Sequence, residues 1–101
     1  GVKVAMAAHT FEFSTIQVMY KLVPVGYTGD PDDLNFEFFN TDGRPDSGLM
    51  VPQNDPFVFG DFEYTLDDAP AYDGFQLKIV LKNYNQPYIP RVKDLRIIAL
   101  A

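Results

Sequence analysis

The residues whose types could do chemistry are few in this chain, and their spacing is unhelpful to catalysis. His9 is the only histidine, and Ser14 and Ser47 are the serines from which a Ser-His-Asp triad could be written with it. Nothing around either serine resembles the strand-turn-helix elbow that exposes a nucleophile, so His9 reads as a structural residue at a strand end. Paired carboxylates occur at Asp32-Asp33 and Asp67-Asp68. Glycoside hydrolysis needs two carboxylates facing each other across a cleft, whereas adjacent acids in Pro- and Gly-containing loops solvate the loop and cap its turns. Asn40, Asp42 and Asp46 lie in one loop, and Asp30, Asp32 and Asp33 in another. Hard oxygen ligands on irregular backbone suit calcium, yet N-T-D-G-R-P-D-S does not follow the EF-hand spacing, and Arg44 sits among the would-be ligands. No catalytic residue, metal or cofactor is expected, and the chain is read as a non-enzyme.

Binding chemistry is better represented. Tyr84 and Tyr88 stand in the segment N-Y-N-Q-P-Y-I-P beside Asn83, Asn85 and Gln86. Aromatic faces with amide neighbours form a palette for stacking and hydrogen bonding a sugar. The chain has no Trp, and a Tyr in a Pro-rich loop also packs readily on the rim of a sandwich.

These residues must be carried by strands. Phe75, Leu77, Ile79 and Leu81 alternate with Gln76, Lys78 and Lys82, the period-2 signature of a half-buried strand. Pro87 and Pro90 lack the amide donor and interrupt the pattern, and a second strand is expected over Val92–Leu100. Upstream, strands are expected over Val2–Ala8, Thr10–Phe13, Ile16–Leu22, Asn35–Phe39 and Phe57–Leu66. Ser14-Thr15, Asn40-Thr41-Asp42-Gly43 and Asp67 to Gly74 are read as turns, and Arg44 to Asp55 as a long irregular connection. Phe36 and Phe38 are expected to share one side of their strand. Phe57 and Phe59 have the opposite parity to Phe62, Tyr64 and Leu66, so a bulge is expected at Gly60-Asp61. No stretch carries a convincing helical period. Roughly six to eight short strands separated by turn clusters point to an all-β fold, an antiparallel β-sandwich of jelly-roll type.

With 101 residues the chain is one domain by length, and 47% hydrophobic residues can fill a core. The absence of cysteine excludes a disulfide scaffold or thiolate metal site. Eight Lys and Arg against fourteen Asp and Glu leave a formal charge of −6, a field that repels nucleic acid. Lys78, Lys82, Arg91, Lys93 and Arg96 are nonetheless five of the eight basic residues, while acids concentrate between Asp30 and Asp73. No apolar run approaches the roughly 18 residues of a membrane span, so no membrane partner is expected. The chain opens inside a strand without an initiator Met, and it is read as the C-terminal part of a longer polypeptide. Ile98 and Leu100 lie on the strand face opposite Leu95, Ile97 and Ala99. A strand apolar on both faces is one that is covered on both, either by another part of the domain or by another chain; a neighbouring chain is the favoured cover, with Arg91 and Lys93 contributing charge.

The pattern F-Q-L-K-I-V-L-K-N-Y-N, followed by P-R-V-K-D-L-R-I-I-A-L, resembles the C-terminal portion of large virion proteins of tailed bacteriophages, the tail, baseplate and fibre-attachment class. The residues that carry the likeness are Phe75 to Lys82, Asn83 to Asn85 and Pro90 to Leu100, with I-Q-V-M-Y-K-L, F-N-T-D-G and D-F-E-Y-T-L fitting the same rhythm upstream. The resemblance implies a structural module that decorates or joins parts of a virion after assembly in the host cytoplasm. Its partners would be other virion proteins or copies of itself. A carbohydrate-binding module that recognises a host surface glycan through Tyr84 and Tyr88 is the alternative.

Overall fold

A computed structural model describes residues 1–10, 14–46, 59–67, 71–83 and 91–99. The strands are β1 (Val2–His9), β2 (Ser14–Pro24), β3 (Glu37–Phe38), β4 (Gly60–Leu66), β5 (Tyr72–Asn83) and β6 (Arg91–Ala99). Two 3₁₀ turns, Pro31–Asp33 and Phe39–Thr41, flank β3, and the described residues include no α-helix. The strands form two three-stranded sheets, ordered β4-β1-β6 and β3-β2-β5, with every pairing antiparallel. The chain is all-β, as its alternation predicts, and the sheets close on one another as a sandwich.

Cross-strand pairs share a face, so the pairings show what points inward. Val2, Val4 and Met6 of β1 stand opposite Leu66, Tyr64 and Phe62 of β4. Ile16 and Val18 of β2 stand opposite Leu81 and Ile79 of β5. Val2, Val4, Met6, Ala8, Ile16, Val18, Phe39 and Tyr64 make one buried cluster drawn from both sheets. Each large aliphatic or aromatic side chain removed from water there contributes about 1.5–3 kcal/mol before entropy is charged against it.

β1 joins β6 and β2 joins β5, and the chain crosses between sheets from β1 to β2, from β3 to β4, from β4 to β5 and from β5 to β6. A jelly roll has about eight strands in two Greek keys, whereas the described residues carry six strands in two three-stranded sheets.

Several local expectations need correction. The strand expected over Asn35–Phe39 is reduced to Glu37–Phe38. Asn40 and Thr41 adopt left-handed backbone, with φ of 52° and 67°, and this breaks the extended chain. Phe39, with the opposite parity to Phe36 and Phe38, is therefore the side chain that enters the core. Its ring lies 4.8 Å from Tyr20 and 5.9 Å from Tyr64. Phe38 stays exposed. Ser14-Thr15 belongs to β2 and makes no turn, because both residues pair with the end of β5, opposite Asn83 and Lys82. The β1–β4 register runs unbroken from Val2↔Leu66 to Ala8↔Gly60, so Gly60-Asp61 holds no bulge within it. Phe62, Tyr64 and Leu66 face inward without one; Phe57 lies outside the described residues. The segment expected as a strand over Thr10–Phe13 lies outside them too, apart from Thr10.

Candidate interaction surface

One register shift among the described strands is on β6. Ala5 pairs with Arg96 but Ala7 with Lys93, so two residues, Asp94 and Leu95, oppose Met6 alone. Asp94 takes a left-handed φ of 54° to accommodate the extra residue, a conformation that Asp tolerates better than most residues. The bulge changes the strand's parity. Val92 lies opposite Ala8 and Ile97 opposite Val4, so both face inward despite their odd separation. Lys93, Arg96 and Ile98 lie opposite Ala7, Ala5 and Lys3 and face outward.

Of the described β6 residues, Val92 packs against the buried cluster. Leu95 and Ile97, on the inward side, remain 44% and 48% exposed, and Ile98 on the outward side 47%. The cause is topological: among the described strands β6 is an edge, and so is β5 in the opposing sheet, where Leu81 is also 46% exposed although its partner Ile16 is buried. The expectation of a strand apolar on both faces thus meets a strand exposed on both faces within its own chain. Lys93 is turned onto its own domain, its Nζ lying 4.2 Å above the ring of Phe59. That ring in turn lies 5.8 Å from the buried His9. Arg91 opens β6 opposite His9. Leu100, Tyr84 and Tyr88 lie outside the described residues.

Three of the acids considered for chemistry, Asp30, Asp42 and Asp46, are taken up by the fold itself. Asp30 accepts from the N–H of Asp32 at 3.0 Å and caps the first 3₁₀ turn. Asp42 accepts from the Arg44 N–H at 3.0 Å and lies 3.6 Å from the Arg44 guanidinium. Asp46 is a latch. Its Oδ1 accepts from Asn40 Nδ2 at 2.9 Å and from the Thr65 N–H at 3.1 Å, and its Oδ2 accepts from Thr65 Oγ1 at 2.6 Å. Its own N–H donates to the Glu63 carbonyl at 2.8 Å. Among the described residues no group of three or more potential ligands is gathered as a metal site. Ser47 and Asp68 lie outside the described residues, as does the side chain of Ser14.

Sequence reasoning named Asp46 only as an oxygen ligand, and missed its closure of the β4 edge through Thr65 and the burial of Lys21. Lys21 faces outward on β2, yet it is buried beneath the first 3₁₀ turn, where Nζ donates to the Pro31 carbonyl at 3.0 Å and sits 4.5 Å over the Phe36 ring. A carbonyl and a ring face offset the loss of water around that cation. Both contacts join segments far apart in sequence, and composition carries no signal of them.

Burial is the largest influence on the Asp46 carboxyl and pushes its pKa up. It is outweighed by hydrogen bonds from the Thr65 side chain, Asn40 and the Thr65 backbone, with the charge of Lys3 helping, so the pKa ends below the usual carboxylate range. A folded-state pKa held below the unfolded one gives stability that is present above pH of about 4 and lost as pH falls through the folded value. Asp46→Asn should therefore cost at most about 1 kcal/mol at neutral pH, because water screens this exposed group. Its stability should also fall less steeply than that of the wild type below pH of about 4. Urea unfolding at a series of pH values measures both effects.

Compared with known proteins, the chain matches no family model, no curated protein and no solved structure. The resemblance to tailed-phage virion proteins therefore rests on the residues quoted above. No helix among the described residues is long and apolar enough to cross a membrane.

Proposed function

We propose that the chain is a non-catalytic assembly module that joins another protein through its β6 edge. The observation that carries this reading is the exposure of Leu95, Ile97 and Ile98 on both faces of one edge strand. Apolar side chains exposed together on a strand edge mark a contact surface or an aggregation liability. The resemblance of Phe75 to Leu100 to tailed-phage virion proteins supports placing the module in a tail, baseplate or fibre attachment, with virion proteins or copies of itself as partners.

Co-expression with the products of neighbouring genes tests the reading. A complex of fixed stoichiometry is expected, and Ile98→Asp should weaken it at least about ten-fold, the loss of about 1.4 kcal/mol of contact. The far-UV spectrum of the variant should remain that of the wild type, since Ile98 points away from the core. Reproducible binding on a glycan array, abolished by Tyr84→Ala or Tyr88→Ala, would replace this function with the carbohydrate-binding one.

A further inference from the structure

The outer face of the β3-β2-β5 sheet is basic and partly apolar, in a chain whose net charge is −6. Ile16 and Val18 are buried, so Gln17 and Met19 turn outward, together with their partners Val80 and Lys78 on β5. Thr15 brings Lys82 to the same side. The outward row of β5 thus reads Lys78, Val80, Lys82, a half-buried valine between two exposed lysines. Met19 stands diagonal to Val80, and Phe38, its partner on β3 and 39% exposed, carries the apolar strip to the sheet edge. The paired stretches 15–21 and 76–82 contain no acid, and Glu37 of β3 takes the Tyr20 hydroxyl at 3.0 Å on the other side. The ion pairs of the described residues, Lys3–Glu63 and Arg44–Asp42, involve neither Lys78 nor Lys82. Lys21 shares this face but is closed off beneath the first 3₁₀ turn, which bounds the strip at one end. Lys78 Nζ is held toward that end, 5.6 Å from the Phe36 ring.

We propose that this face takes an extended acidic segment of a partner protein, laid along β5 with one carboxylate over Lys78, another over Lys82 and an apolar side chain between them over Val80. The argument is complementarity of charge and of period. Side chains on one side of an extended chain recur every second residue, about 6.6 Å apart. A segment of pattern acid-x-apolar-x-acid therefore meets the base-apolar-base row of β5 at each step, and its apolar residue also reaches Met19. A neutral apolar segment would take water from two ammonium groups and return nothing. A nucleic acid carries charge at every step and is opposed by the average field of the chain, whereas two carboxylates are opposed far less. Exposed ion pairs are worth little singly, so the contact should be weak, with a Kd of about 1 mM, and should loosen as salt rises. The surface lies on a different sheet from β6 and goes beyond the β6 contact without depending on it.

Titration of the 101-residue chain with a blocked peptide containing Glu-Ser-Leu-Ser-Glu, followed through backbone amide NMR signals, tests the proposal. Saturable shifts are expected at the 15–19 and 76–82 amides. Lys78→Glu or Lys82→Glu should weaken binding at least about five-fold, since each replaces an attraction by a repulsion. The double variant should instead bind the peptide containing Lys-Ser-Leu-Ser-Lys, which the wild type should not. Both lysines are exposed, so the variants should keep the fold, and unchanged signals from β1 and β4 verify that. No saturable shift with peptide at about 5 mM overturns the proposal. Equal binding of a peptide with serine in place of the leucine, or of a short oligodeoxynucleotide, overturns it as well, because the face would then be a non-specific basic patch. None of these results touches the β6 reading, which the effect of Ile98→Asp on a partner complex decides separately.

Discussion

Tyr64→Ala is expected to lower the stability of the fold by about 3–5 kcal/mol, the range for removing a fully buried aromatic ring from a core. Tyr64 is wholly buried, stands opposite Val4 on the inward face of β4, and meets the Phe39 ring edge-on at 5.9 Å. Removing the ring opens a void lined by both sheets and strips Phe39 of its neighbour. A domain of this size has about 5–15 kcal/mol in all, so the variant should unfold at a much lower urea concentration with an unchanged slope. Tyr64→Phe should behave quite differently. The Tyr64 hydroxyl is buried with no hydrogen-bond partner among the described residues, so deleting it removes an unsatisfied group and keeps the packing. Stability within about 1 kcal/mol of the wild type, or above it, is expected. Burial, with the Asp46 charge adding to it, holds the phenol pKa well above its ordinary value. A pKa raised in the folded state gives stability that is whole below the unfolded value of about 10 and is lost as pH climbs beyond it. Tyr64→Phe should lose less stability above pH of about 10 than the wild type, and urea midpoints on either side of that pH measure the difference.

The parts of this fold that were legible in the sequence are those written by alternation. Val2, Val4 and Met6 on β1, Ile16 and Val18 on β2, and Leu77 and Ile79 on β5 face inward as their spacing predicts. Alternation fails where one residue departs from extended backbone. The left-handed Asn40 and Thr41 turn Phe39 into the core in place of Phe36 or Phe38, and the left-handed Asp94 puts Val92 on the same side as Leu95 and Ile97. Glycine and a parity change coincide at Gly60-Asp61 and predict a bulge there, yet that register is unbroken and a bulge falls at an Asp-Leu pair that reads as uninterrupted strand. Asp46 is illegible for another reason. Its value lies in Thr65, nineteen positions away, and no local pattern specifies a carboxylate that closes a distant strand edge. The apolar character of the last strand on both faces was legible from Leu95, Ile97 and Ile98. What sequence alone could not show is that the second sheet leaves the inward side of β6 open.

Gly43→Ala should cost about 3 kcal/mol, because left-handed backbone with a Cβ costs about 1–2 kcal/mol and overpacking about 1–3 more. Gly43 has φ of 77°, and its buried peptide is pinned at both ends. Its N–H donates to the Phe39 carbonyl at 2.7 Å, and its carbonyl accepts from the Val18 N–H at 3.0 Å. A Cβ there would lie 2.8 Å from Phe38 Cδ1, 2.9 Å from Gln17 Cβ and 3.2 Å from the Val18 nitrogen. The exposed Phe38 ring can swing aside, but Gln17 Cβ and the Val18 nitrogen belong to β2 and move only with the sheet. Gly26→Ala is the matched control. Its φ is 80°, and a Cβ would meet nothing within 4 Å. That variant should lose about 1 kcal/mol, the backbone cost alone. Urea unfolding of the pair separates the two contributions, and a difference smaller than about 0.5 kcal/mol would mean that the loop does not press on β2 as described. The loop that begins at Phe39 also delivers Asp46 to the β4 edge. Gly43→Ala should therefore speed amide exchange at Thr65, whose N–H donates to Asp46, and Gly26→Ala should leave that rate unchanged.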